Sequence, residues 1–121
     1  MSLFSILFGC SRSQLVEGGL YYTQNEGGSY SILKVLKLDK QGVHVRIYSN
    51  QFTNAPTEVN EGSLYMAAEN GETNENFGVG HSPISKKSFR GWKVVFFQQS
   101  KVKDEELEGY KMWLDGKGGY F

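Results

Sequence analysis

The sequence predicts an α+β domain: a small, strongly bent antiparallel sheet of about five strands with a C-terminal helix. Three observations predict it. Eight Phe, seven Tyr and two Trp stand beside fifteen Gly and only two Pro, a composition of short strands joined by tight turns. Apolar and polar residues alternate through the middle of the chain, in runs broken by Asn, Asp and Gly. From Asp104 the spacing changes to that of a helix. A chain of 121 residues is one domain's worth and can bury a core without disulfides or metals.

At the N-terminus, "MSLFSILFGC" is apolar at Leu3, Phe4, Ile6, Leu7 and Phe8. It has no basic n-region and is too short to span a bilayer, so residues 1–17 are expected as a short helix docked on a single domain, 18–121. The chain is expected in the cytoplasm without a membrane span, where the single Cys10 suits a reducing compartment.

The middle reads as a β-meander: "GLYYTQ" (19–24), the turn "NEGG", "SYSILKVLKL" (29–38), the turn "DKQG", and "VHVRIYSN" (43–50). A type I turn over Asp39–Gly42 pairs Leu38 with Val43 and Leu36 with Val45. That register places Tyr30, Ile32, Leu36, Leu38, Val43, Val45 and Ile47 on one face, and Lys37, His44, Arg46 and Tyr48 on the other. A further strand is expected over 64–68, followed by a polar loop over 69–78. "GVGHSP" is expected as a corner leading to a helical turn capped by Ser85, with Phe89 inward and Gly91 as its stop. "WKVVFFQQ" (92–99) then reads as a central strand.

The tail is the clearest helix, over 104–115. Asp104 caps it, Glu105, Glu106 and Glu108 suit its N-terminal dipole, and Leu107, Tyr110 and Leu114 line one face, widened by Trp113. Gly109, unfavourable in a helix interior, predicts a close approach to another backbone. Gly116 ends the helix, and Gly118 with Gly119 lets Tyr120 and Phe121 fold back.

Thirteen basic and thirteen acidic residues cancel, which disfavours nucleic acid as a partner. They are segregated, however: acids cluster from Glu58 to Glu75 and bases from Lys86 to Lys103, a pattern that suits a charged protein partner. The glycines match no phosphate loop, the acids form no calcium ladder, and two His with one distant Cys make no zinc set. No serine sits in a nucleophile elbow. No catalytic residue, metal or cofactor is therefore assigned. The candidate partner contacts are His81, Lys86, Lys87 and Arg90, with His44, Arg46 and Tyr48. The competing reading is a small enzyme or ligand-binding barrel centred on His81, with Arg90 or Arg46 as anion partner and a loop glutamate as acid or base.

Three patterns, "GVHVR-Y" (42–48), "GxGHxPxS" (78–85) and "EELEGYxxW" (105–113), resemble a family of small bacterial β-rich domains without an established activity. The resemblance runs from about Gly18 to the end. The strand order also resembles SH3-like barrels, and size and β-rich character alone resemble bacterial toxin-neutralising immunity proteins. The absent catalytic motif, the segregated charge and the aromatic surface together predict a non-catalytic binding domain whose partner is another protein or a second copy of the chain, with the immunity-like role as one form of it.

Overall fold

The computed structural model describes residues 15–67 and 78–121. Four strands follow one another as a meander: β1 (Gly19–Gln24), β2 (Tyr30–Leu38), β3 (Gly42–Phe52) and β4 (Val79–Ser85). A short helix, α1 (Lys86–Gly91), then carries the chain back to β5 (Val95–Gln99), which pairs with β1. The antiparallel sheet has the order β4-β3-β2-β1-β5. A 3-10 turn, Glu61–Ser63, follows β3, and a second, Asp104–Leu107, leads into the C-terminal helix α2 (Glu108–Asp115).

The α+β class, the five strands and the C-terminal helix are as the sequence predicts. The barrel is not: β4 and β5 lie at opposite edges of an open sheet. Three local expectations also change. The "GVGHSP" corner is strand β4, tolerated at an edge although Pro83 lacks an N–H. The strand expected to be central is β5, an edge, and it starts only at Val95. The strand over 64–68 reduces to a bridge at Ala67. Residues 15–17 carry no helix, and the rest of the expected N-terminal helix and most of the polar loop lie outside the described residues.

The hairpin register explains the two faces. Leu38 pairs with Val43 as expected, but Val35, not Leu36, pairs with Val45, and Lys37 pairs with His44. Leu36 is thus an extra residue in a bulge, and upstream of it the facing parity of β2 reverses. Leu33 and Val35 therefore join Val43, Val45, Tyr21, Ile84 and Phe89 on one face. Ile32 moves to the other, with Leu20 and Tyr48.

The crossover through α1 covers the first face. Ser85 caps α1 by accepting from Ser88 N–H at 3.1 Å, and Phe89 packs edge-on against Tyr21 at 5.9 Å. Trp92 and Val94 extend this cover. Gly91 is the last helical residue, and the left-handed position after it falls on Lys93 (φ 54°) rather than on glycine. The 3-10 turn at 104–107 supplies Glu106, and α2 supplies Tyr110 and Trp113, to the second face.

Candidate functional site

The second face gathers the molecule's buried polar chemistry. Alternation along β3 aims His44, Arg46 and Tyr48 at it, opposite Val43, Val45 and Ile47, as expected. The expectation that these residues stand at a surface is overturned. His44 is 0% exposed and Tyr48 6%; Arg46 alone keeps a partly exposed side chain.

At one end lies a chain of ring nitrogens. His44 Nε2 is 3.1 Å from Asp39 Oδ2, and His44 Nδ1 is 2.9 Å from His81 Nε2. Tyr120 donates to the same Asp39 oxygen, and the Gln41 and Gly42 amides donate to Oδ1 at 3.0 and 2.9 Å. Partial burial raises the Asp39 carboxyl, but these hydrogen bonds from Tyr120, His44 and the turn amides outweigh it and bring the pKa to about 2. The ionised Asp39 accepts a hydrogen bond from His44 Nε2, and a single proton bridges His44 Nδ1 and His81 Nε2. Burial lowers the His81 pKa, and the neighbouring His44 lowers it further.

The extra residue that lets His81 reach His44 belongs to β4. Ser82 pairs with Val45 and Val79 with Ile47, so two residues of β4, Gly80 and His81, face one of β3. α2 then roofs the imidazoles. Trp113 and Tyr110 stand edge-on to His44 at 4.5 and 4.8 Å between centroids, and Tyr120 tilts over it at 5.4 Å. Gly109 makes this close approach possible, because a Cβ there would stand 2.5 Å from His81 Cβ. The glycine meets a side chain rather than a second backbone. Leu114, expected inside, is 53% exposed. The tail folds back as expected: Phe121 pairs with the outer edge of β4, donating to Pro83 C=O and accepting from Ser85 N–H, both at 2.9 Å.

Beside the imidazoles sits Lys34, 0% exposed. Its ammonium donates to Glu61 Oε2 at 2.5 Å, to Lys101 C=O at 2.7 Å and to Glu106 Oε1 at 2.9 Å. Three donors with three partners leave the charge fully satisfied. Glu106 also accepts from Lys103 N–H at 2.8 Å, which ties the 3-10 turn to the sheet. Burial raises the Glu61 carboxyl, but hydrogen bonds from Lys34 and Ser100 reverse this, and its pKa is lowered. Arg46 bridges the two groups: Nε donates to Gly80 C=O at 3.3 Å, and Nη1 lies 3.6 Å from Glu106. Around Arg46, Tyr48, Glu61, Glu106, Lys103 and the segment 62–66 lies a cleft of about 200 Å³.

The expected contact residues are therefore divided. His81, His44, Arg46 and Tyr48 share the second face, whereas Lys86, Lys87 and Arg90 ride on α1, whose Phe89 packs on the first. Lys87 and Arg90 are exposed, and Lys86 is partly buried. Lys34, Glu61, Glu106, Asp39 and Tyr120 belong to the site but not to the residues the sequence singled out. The available signal was Lys34 itself, set in the apolar run "SILKVLKL" at the spacing of Ile32.

Among the described residues, the carboxylate of the chain bonds His44, not His81. Among the described residues, no group of three or more His, Cys, Asp or Glu could hold a metal ion. No helix among them is long and apolar enough to cross a membrane. No protein-family model, curated protein or solved structure matches this chain.

Proposed function

We propose that this chain is a non-catalytic interaction domain of the cytoplasm that binds another protein or a second copy of itself. One observation supports this above the others: His44 is wholly removed from solvent beneath Tyr110, Trp113 and Tyr120. A general base must reach its substrate, and His44 reaches only protein. Lys34 and Glu106 are matched internally, so they fasten the 3-10 turn that leads into α2 to the sheet. Contacts with a partner fall to the candidates that have surface: Lys87 and Arg90 on α1, and Arg46 with His81 in part on the second face. Neutralising a toxin by binding, as the resemblance to immunity proteins suggests, is one form such a role takes.

The test is crosslinked capture from extract of the native host, read by quantitative mass spectrometry. The wild type should retain a protein at near-equal ratio, and Arg90→Glu should lose it without loss of fold. In parallel, the protein is incubated with a small-molecule extract of the host. A change in the extract that requires His81, absent with a folded His81→Ala variant, would establish the enzyme reading instead.

A further inference from the structure

The cleft beside Arg46 has a composition that names a ligand chemistry. Its two carboxylates, Glu61 and Glu106, are already engaged by Lys34, and Glu106 also by Arg46. Arg46 has five N–H donors, more than Gly80 C=O and Glu106 use. Lys103 is exposed and makes no close ion pair among the described residues, although its charge acts on Glu61 from a distance. Three cations thus stand against two carboxylates, with the surplus at the mouth of the cleft. Tyr48 adds a hydroxyl that stays protonated, because burial raises its pKa and the Glu106 charge raises it further.

The wall beside these donors is apolar. Leu64 lines the cleft with Tyr65 and Met66, which are 43% and 40% exposed. Two of the five large apolar side chains exposed among the described residues therefore border one cleft. Its volume of about 200 Å³ is below the roughly 300 Å³ at which drug-sized ligand sites begin. It has room for a side chain or a small acid rather than for a drug-sized ligand.

The geometry points to a peptide-carboxylate site: the cleft receives an aspartate or glutamate of a partner protein between Arg46 and Lys103, while an apolar neighbour of that residue rests on Leu64 and Met66. This rests on the interaction reading above and adds the residue class that the partner presents. Charge complementarity fixes the anion, and the apolar wall beside it fixes the neighbour.

A capped tetrapeptide with adjacent phenylalanine and glutamate, its glutamine counterpart, and acetate alone are titrated into isotope-labelled full-length protein and followed by amide and arginine-Nε NMR. The glutamate peptide should shift Arg46 Nε–H and the amides of 62–66 and Lys103 saturably. The glutamine peptide should bind about tenfold more weakly or worse, the loss of one charge-assisted contact. Lys103→Glu, at an exposed side chain that leaves the fold intact, should abolish the shifts, and Arg46→Gln should weaken them. Equal binding of the glutamate and glutamine peptides, no shifts from either, or shifts confined to α1 would overturn the site. Acetate binding as tightly as the glutamate peptide would overturn its assignment to a peptide. In each case, capture of a protein through Arg90 would leave the interaction reading standing; His81-dependent turnover would remove that reading and not this one.

Discussion

The two faces of the sheet are held by different physics. The first is a continuous apolar layer: Leu33, Val35, Val43 and Val45 under Phe89, Trp92 and Val94, with area removed from water as its driving force. The second mixes a small apolar cluster, Leu20, Ile32 and Tyr48, with a buried ammonium, three carboxylates, a guanidinium and two imidazoles. An apolar layer tolerates many similar packings, whereas a buried ionic network is favourable in only one arrangement. The first face therefore accounts for stability, and the second for where α2 and the tail must sit. The buried polar groups of the second face hold the 3-10 turn and the tail against the sheet.

The comparison is broken most severely by two substitutions of similar size and different character. Lys34→Met leaves the buried Glu106 and the half-buried Glu61 without their shared ammonium and should cost about 3–5 kcal/mol near neutral pH. Phe89→Ala should cost about 3–5 kcal/mol by opening the first face. Urea denaturation across pH separates them. The lowered Glu61 pKa contributes stability above its unfolded value of 4.5 that is lost as pH falls through the folded value, and Lys34→Met should remove this acid limb while Phe89→Ala preserves it.

Gly109→Ala sharpens the comparison further. A new methyl there meets His81 Cβ at 2.5 Å, an atom fixed to the backbone of β4. The gain in helix propensity is about 1 kcal/mol, and overpacking against a strand should outweigh it, for a net loss of about 1–2 kcal/mol by thermal denaturation.

A smaller effect is expected from the imidazole pair. The folded pKa of His81 lies below its ordinary 6.5, so the unfolded chain binds the proton more readily. The contribution is complete above 6.5 and is lost as pH falls through the folded value. Around the pair stand Asp39 and Tyr120, Tyr110 on α2 with Lys37 over its ring at 5.9 Å, and Arg46 at Gly80 C=O. Of these, the Asp39 carboxylate is held at about 2 and keeps its charge throughout that window. Protection factors of the α2 amides, taken relative to the intrinsic exchange rate at each pH, should fall below pH 6.5 in the wild type and vary less in His81→Gln. The smallest effect belongs to Arg90→Ala, exposed on α1, which should change stability by less than about 0.5 kcal/mol.

What the sequence made legible was local. Ser85 as a cap, the Asp39–Gly42 turn, the helix over 104–115, the fold-back at Gly118–Gly119 and the alternation of Val43, His44, Val45 and Arg46 all depend on near neighbours. The bulge at Leu36 was not legible, because an apolar residue fits either face and nothing nearby demands an extra one. The edge position of β5 was hidden by its apolar run, whose outer side is served by the Gln98 side chain on Val59 N–H at 2.8 Å. The site was the least legible part. Lys34 meets Glu106 across 72 positions and His44 meets Tyr120 across 76, and such pairings follow only from the completed topology.

The measurement that tests the central claim most directly is hydrogen–deuterium exchange at the imidazole C2 position of each histidine, followed by mass spectrometry across pH. His44 should be strongly protected at every pH at which the protein is folded, and His81 should show a midpoint below 6.5. Rapid exchange of both rings with midpoints at or above 6.5 would show two open imidazoles and contradict the closed face on which this reading of the molecule rests.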